Sequence, residues 1–426
     1  MNLKPARSWY EATARRPPAE PALAGDTDAD VCVVGAGIAG CSAALHLAER
    51  GYRVVLLEAE RVGFGGSGRS GGQLLPGYAS GQAKLAAQIG KADARRLWDF
   101  TVEGLGLVRD RVARHRIDCD LAWGHVHAAI RPRQRDELRD WQREQEDDFG
   151  YGSLRLLEQD EIRGWIASKR YVAGLHDSQS GHVHPLKFTL GLAGAAQAAG
   201  VRLHENSRVT AIERGPVVTV RTATGSVRAK QVALCANIGH GGFAPVLARK
   251  TIGIASYIVA TQPLGAERAQ TLLRDNIAVA DINWIIDYYR LSVDHRLLFG
   301  GRVSYSGIDP IGTERATRQR MLNVFPQLAD AQIEYSWGGL IDISMNRAPH
   351  FGRLEPNIYF LQGFSGHGMV LTGIAGKIVA EVIAGQTERF DIYARLKHHD
   401  FPGGMLLRRP TLVLAMLWFR LRDLLP

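Results

Sequence analysis

One stretch constrains the fold more than any other. Asp30-Val-Cys-Val-Val-Gly35-Ala36-Gly37-Ile38-Ala39-Gly40 runs into Cys41-Ser-Ala-Ala-Leu-His-Leu-Ala-Glu49, and Val54-Val-Leu-Leu-Glu58 follows. Val31 to Val34 form the short apolar run of a strand buried in a parallel sheet. Gly35, Gly37 and Gly40 complete G-x-G-x-x-G. The first permits the turn, the second lets backbone approach a pyrophosphate, and the third lets the helix pack closely on the strand. The helix that starts there aims free N–H groups and a positive dipole end at phosphate. Val54 to Leu57 read as the second strand. Glu58 stands 18 residues beyond Gly40, where a carboxylate accepts hydrogen bonds from both ribose hydroxyls and repels a 2′-phosphate. Strand, turn, helix, strand and acid at these spacings predict a dinucleotide-binding βαβ unit. They disfavour NADP and leave FAD and NAD open.

A second glycine loop follows: Ala59-Glu-Arg-Val-Gly63-Phe-Gly65-Gly66-Ser67-Gly68-Arg69-Ser70-Gly71-Gly72-Gln73. Backbone this rich in glycine is suited to pressing against a flat ligand. A third loop, Gln362-Gly363-Phe364-Ser365-Gly366-His367-Gly368-Met369, opens an apolar helix that runs through Ile383. It again sets backbone N–H groups at a helix start.

These loops resemble the FAD-binding region of the D-amino-acid oxidase-like flavoenzymes, a family that includes glycine oxidase, sarcosine oxidase and gamma-glutamylputrescine oxidoreductase. The run Ser67-Gly68-Arg69-Ser70-Gly71-Gly72-Gln73 is most similar to the last group, and the resemblance extends from about Ser8 to the C-terminus. It implies an α/β fold: a Rossmann-like FAD-binding domain with a discontinuous α+β substrate domain built on an antiparallel sheet. It implies cofactor contacts from Gly35, Gly37, Ile38, Ala39 and Gly40, and from Glu58 and Ala59. Gly66, Ser67, Gly68, Arg69, Gly71, Gly72 and Gln73 would pass beside the flavin ring and diphosphate. The Val209 backbone would meet adenine, with Ala236 nearby. Gly363, Phe364, Ser365, Gly366, His367 and Gly368 would face the pyrimidine end of the flavin, where reduction places negative charge.

The expected domain organisation follows from the same reading. Residues 1–28 form a polar arm over the surface. Residues 29–90, 165–245 and 338–390 form the FAD-binding domain, and 91–164 with 246–337 the substrate domain. Residues 391–426 form a hydrophobic and basic tail. Residues 84–116 read as helical, 121–130 as an alternating strand with His125 and His127 on one face, and 131–148 as a solvated helix. Gly181-His182-Val-His184-Pro185 precedes a helix up to Gly200, and a structural role is expected for both histidines. Residues 217–221 and 226–229 read as a hairpin, and 231–237 as a strand. The stretch 246–335 supplies aromatic, β-branched strands, with Tyr257, Trp284, Tyr288, Tyr289, Phe299 and Tyr305 as pocket or core residues.

Composition narrows the partners. The net charge is +9, but arginine is spread along the chain without a Lys/Arg block, so no nucleic acid is expected. Cys32, Cys41, Cys119 and Cys235 have neither C-x-x-C spacing nor a histidine cluster. They read as reduced thiols of a cytoplasmic enzyme, and no metal is expected. Arg15-Arg16 is followed by Pro17-Pro18 rather than an apolar run, so no export signal is read. No stretch reaches the roughly 18 apolar residues of a membrane span. The tail, with Arg408-Arg409 before Leu412 to Leu425, would dock on the protein, a second subunit or a membrane surface.

The implied reaction is oxidation of a C–H bond next to nitrogen, with oxygen or another acceptor taking the electrons. Departures from relatives point to the substrate. Sarcosine oxidase-like enzymes hold a carboxylate with a Lys three residues beyond the loop histidine, where this chain has Val370. The strand position of their oxygen-side Lys corresponds to Leu298. Gln73 and the segment Gly339 to Met345 offer no His or Cys for covalent flavin, so FAD is expected to be non-covalent. The primary expectation is a small amine such as gamma-glutamylputrescine, with His367, Arg302 and Arg69 as substrate-side residues. An oxidase or dehydrogenase of glycine, sarcosine or a D-amino acid is the alternative. A flavin-binding electron-transfer subunit docking through its tail is a second, and an NAD dehydrogenase a more distant one.

Overall fold

The structure, a computed structural model, describes residues 8–283, 285–304, 312–402 and Pro410, with the side chains of Arg302 and Val303 excepted. Trp284, Tyr305 and the hydrophobic tail therefore lie outside the described residues, as does the Arg302 side chain. Five parallel strands build the first sheet: Ile358–Gln362, Gly225–Leu234, Gly25–Val34, Val54–Leu57 and Arg202–His204, in that spatial order. His350–Glu355 closes one edge antiparallel. Val31, Cys32, Val33, Val55 and Leu56 are all fully buried, as the apolar runs require. The helices Ile38–Ala48, Pro185–Ala198 and Gly368–Ile383 share one core on this sheet. Val209 and the hairpin Val218–Arg221 with Gly225–Leu234 belong to a second core.

The second sheet runs Ile333–Ser344, Thr251–Thr261, Leu297–Ser304, Tyr288–Leu291, Ala278–Asp281, Ala122–Ala129, Ala173–His182 and Gln73–Leu74. Its first four strands are mutually antiparallel. Strand alternation sorts the aromatics. Tyr289 stacks on Phe299 at 5.6 Å and meets Phe325 at 5.1 Å, in the core shared with Met321 and Val324. Tyr288 and Arg290 take the opposite face, toward Gly71.

Three expectations are corrected. The N-terminal arm is no surface strap at its start. Ser8 Oγ caps a short helix, Trp9–Thr13, by accepting Glu11 N–H at 3.1 Å. Trp9 and Tyr10 are 1% and 0% exposed and pack with Leu186, Ile258, Leu298 and Trp337. Because Leu186 belongs to a helix on the first sheet and the other three to the second sheet, the arm bridges both. The domain boundaries also differ. Strands Ala173–His182 and Ile333–Ser344 belong wholly to the second sheet, whereas the reading cut at 165 and 338. The helix Lys91–His115 packs in the first core through Leu97, Phe100, Leu105 and Val108 rather than in the substrate domain. Strand partners outside any local window decide this membership, and local patterning carries no record of them. Finally, the helical stretch 84–116 is two helices, Gln82–Ile89 and Lys91–His115, broken at Gly90 with φ +87°.

His182 and His184 are structural parts. His184 Nδ1 accepts Lys187 N–H at 3.2 Å, capping the Pro185–Ala198 helix, and its Nε2 lies 3.1 Å from Thr13 Oγ1. His182 Nε2 donates to the Asn276 carbonyl at 2.8 Å. Among the described residues no single helix is long and apolar enough to cross a membrane.

Candidate active site

The carboxyl ends of the parallel strands bring the glycine turns together. Gly35, at φ +102°, turns the chain after Val34, and a Cβ there would lie 2.8 Å from the Cys235 carbonyl. This places Ala236, whose N–H donates to His240 Nε2 at 3.1 Å, beside the first turn. The Ile38–Ala48 helix begins at Gly37 without a side-chain cap. Ser67 Oγ accepts Ile38 N–H at 3.0 Å, so the second glycine loop lies across the helix start. A Cβ on Gly37 would lie 2.7 Å from that oxygen, and one on Gly40 only 1.8 Å from the Gly35 carbonyl. The result is a cradle of backbone donors at a positive helix end, closed to side chains and open to a diphosphate.

Glu58 accepts Ala36 N–H at 2.7 Å through one oxygen and Glu60 N–H at 3.0 Å through the other. Each oxygen has a further lone pair, so the carboxylate can still receive ribose hydroxyls. Burial pushes Glu58 above the usual carboxylate range, and the two N–H bonds oppose that shift.

The second loop is laced to the second sheet. Buried Arg69 donates to the Phe64 carbonyl at 2.7 Å and the Gly338 carbonyl at 3.4 Å, and stacks over the Phe64 ring at 4.7 Å. Trp337 Nε1 donates to the Arg69 carbonyl at 3.1 Å. Gly71 lies against Tyr288, where a Cβ would approach Cε2 to 2.8 Å, and the Tyr288 hydroxyl is 3.2 Å from Ser256 Oγ. Gln73 donates through Nε2 to the Val279 carbonyl at 3.0 Å, which turns its Oε1 toward His125 Nε2 at 3.3 Å. That contact assigns the His125 proton to Nε2. Burial holds His125 well below its ordinary pKa, hence neutral, and its Nδ1 has no partner among the described residues.

The third loop is held from below by Asp342, a residue the sequence reading passed over. Its carboxylate accepts Gly363 N–H, and its carbonyl accepts Ser365 N–H at 2.9 Å. The Gly368–Ile383 helix starts at His367 with no side-chain cap. His367 Nε2 donates to the Pro76 carbonyl at 3.0 Å, joining this helix start to the chain just beyond Gln73. Arg302 lies in the strand paired with Tyr257, and its backbone alone is described.

Comparison with known proteins agrees with this geometry. The family model for FAD-dependent oxidoreductases, DAO, matches residues 30–382. The chain belongs to that family. It is 41% identical over 417 residues to gamma-glutamylputrescine oxidoreductase of Escherichia coli strain K12, covering 98% of each chain. Among solved structures it is similar to glycine oxidase from Geobacillus kaustophilus (TM-score 0.73, 20% identity, 87% of this chain and 99% of that one). L-proline dehydrogenase from P. horikoshii is comparably similar (TM-score 0.71, 20% identity, 87% and 96%). At those identities the two structures establish the fold, which is the glycine oxidase-like one expected.

FAD is therefore the cofactor of this oxidoreductase, and the glycine-led helix start, the glycine cradle and Glu58 fit it. Glu58→Gln tests the fit. An amide must aim its NH₂ at one of two N–H donors, so FAD affinity is expected to fall at least tenfold, an energy of about 1.4 kcal/mol or more. Release of flavin fluorescence on dilution measures it, and an unchanged dissociation constant would remove Glu58 from the site.

Asp342 carries a pH prediction. Burial raises its pKa from 3.8 to about 7, against its backbone hydrogen bonds. The folded state thus holds this proton more tightly than the unfolded chain. Its contribution to stability is complete below pH 4, declines as pH rises, and is gone above pH 7. At about 1.4 kcal/mol per unit, the upper bound is about 4 kcal/mol. Urea unfolding from pH 4 to 8 should show a shallower decline for Asp342→Asn than for the wild type. Equal slopes would contradict this.

Proposed function

We propose that this oxidoreductase oxidises an amine whose charged groups lie away from the reacting carbon, and that a glutamylated diamine such as gamma-glutamylputrescine is its substrate. The observation that carries the reading is the full-length similarity to a gamma-glutamylputrescine oxidoreductase. Val370 supports it, being a buried apolar side chain where a small-amino-acid enzyme of the family needs a carboxylate-binding Lys. The flavin supplies the redox chemistry, accepting two electrons from the C–H bond next to nitrogen. The amine substrate, R–CH₂–NH₂, loses a hydride and a proton, and water converts the imine to an aldehyde and ammonia.

The protein's part is placement. Gly35, Gly37, Ile38, Ala39 and Gly40 hold the diphosphate, Glu58 and Ala59 the ribose, and Val209 and Ala236 the adenosine side. The loops from Gly66 to Gln73 and from Gly363 to Gly368 receive the ring. Arg69 and His367 act by fixing those loops, since Arg69 Nε and Nη1 and His367 Nε2 donate to backbone carbonyls. Arg302 remains the substrate-side cation of this reading.

The test is an anaerobic titration of the yellow protein with gamma-glutamylputrescine, putrescine, sarcosine, glycine and D-alanine. Bleaching by the glutamylated amine alone supports the proposal. Bleaching only by amino acids would replace it with an amino-acid oxidase or dehydrogenase. Readmitting air to the bleached protein tests oxygen as the acceptor.

A further inference from the structure

Arg290 is a buried cation held by neutral acceptors. It is 2% exposed, deep in the Tyr288–Leu291 strand. Its donors go to neutral oxygens: Nε to the Gly71 carbonyl at 2.9 Å, Nη1 to the Leu291 carbonyl at 3.1 Å, and Nη2 to the Tyr10 hydroxyl at 3.2 Å. Its guanidinium also lies 5.8 Å from the centre of the Tyr10 ring. Among the described residues no carboxylate pairs with it. Its titratable neighbours do not offset the charge either. His182 and His184 are held neutral, chiefly by burial and then by Arg290 itself. Gly71, Gln73, Tyr288 and Leu298 line a crevice against it that is too narrow for water.

Burying a charge costs several kcal/mol per ion, and well-packed neutral side chains often replace even paired buried charges without loss of stability. Three backbone or phenol acceptors do not require a charged donor, so fold support does not explain this one. What distinguishes its position is contact with Gly71 in the loop that receives the flavin ring. The oxidised ring is neutral and the reduced ring carries negative charge. A fixed positive charge in a low-dielectric interior favours the second over the first.

We propose that Arg290 is a tuning residue: a charge kept behind the Gly71–Gln73 loop to favour the reduced cofactor, at a cost in stability. The inference rests on the assignment of that loop to the flavin, not on the identity of the amine.

The test uses purified holoprotein of wild type, Arg290→Gln and Arg290→Lys. Three quantities are read: the two-electron midpoint potential by dye equilibration, the dissociation constant for sulfite, an anion that adds to the oxidised ring, and the melting temperature at saturating FAD. Arg290→Gln is expected to shift the two-electron equilibrium at least tenfold toward oxidised flavin, a drop of about 30 mV or more. Its sulfite dissociation constant should rise at least tenfold, and it should melt no lower than wild type. Arg290→Lys should recover most of the potential. Three results would overturn the proposal: an unchanged potential in Arg290→Gln, equal losses in the Lys and Gln variants, or failure of Arg290→Gln to give folded holoprotein. An unchanged potential with FAD still bound leaves the cofactor site standing and removes only the role of Arg290.

Discussion

Gly40→Ala is expected to yield protein without FAD. The added Cβ would sit 1.8 Å from the Gly35 carbonyl oxygen, which belongs to backbone, and Cβ itself is fixed to the helix backbone. No side chain can swing aside, so the helix must withdraw until the separation exceeds about 3 Å, a movement of more than 1 Å. That helix start and that turn are the two walls of the cradle proposed for the diphosphate. Displacement of this size at a binding site costs about a hundredfold or more, and overpacking adds about 1–3 kcal/mol of lost stability. The flavin-to-protein absorbance ratio after purification reads the first effect, and urea unfolding the second. Gly106→Ala is the matched control. It lies in the Lys91–His115 helix with nothing within 4 Å of an added Cβ, so it should be neutral or stabilising by up to about 1 kcal/mol. A yellow Gly40→Ala protein with wild-type FAD affinity would refute the close-packing account of the third glycine.

Removal of residues 1–14 is expected to be as damaging, although it touches no glycine loop. Trp9 and Tyr10 fill the space among Leu186, Ile258, Leu298 and Trp337. Trp9 Nε1 also donates to Asp294 at 3.2 Å. Truncation of a buried aromatic costs about 3–5 kcal/mol, so loss of both approaches the whole stability of a typical domain, about 5–15 kcal/mol. The Tyr10 hydroxyl is lost to Arg290, and Thr13 to His184, so the second sheet loses its brace against the first. The truncated protein should be insoluble or melt far below wild type, and Trp9→Ala alone should lower stability by several kcal/mol. If truncation left melting and FAD content unchanged, the arm would be the surface strap that its polar composition predicts.

That arm shows where sequence reasoning stops. Its Pro- and Ala-rich majority reads as exposed, and most of residues 15–28 is. The signal for the buried part was present in Ser8-Trp9-Tyr10-Glu11, a capping residue followed by two large aromatics. Only the cleft between two sheets gives those aromatics a place to go. Arg290 is a second instance. In Tyr288-Tyr289-Arg290-Leu291 the period-2 pattern places Tyr288 and Arg290 on one face, yet an arginine in a strand ordinarily faces water. The approach of the Gly71 loop and Tyr10 encloses it instead. Asp342 and the Gln73–His125 contact were invisible for a similar reason, because their partners lie 21 and 52 residues away.

The sequence by itself determined the cofactor-binding framework. Glycine spacing, strand length and the acid after the second strand are local quantities, and the stereochemistry of a βαβ turn leaves few other uses for them. The hairpin, the third loop and its helix were legible for the same reason. Tertiary structure alone decided what depends on distant partners. It set which sheet Ala173–His182 and Ile333–Ser344 join, that Lys91–His115 packs with the nucleotide domain, and that the N-terminus wedges the two sheets together. It also decided that a cation is enclosed behind the Gly71–Gln73 loop. Burial and charge compensation are properties of all the surfaces that meet at a residue, and no window of sequence contains them.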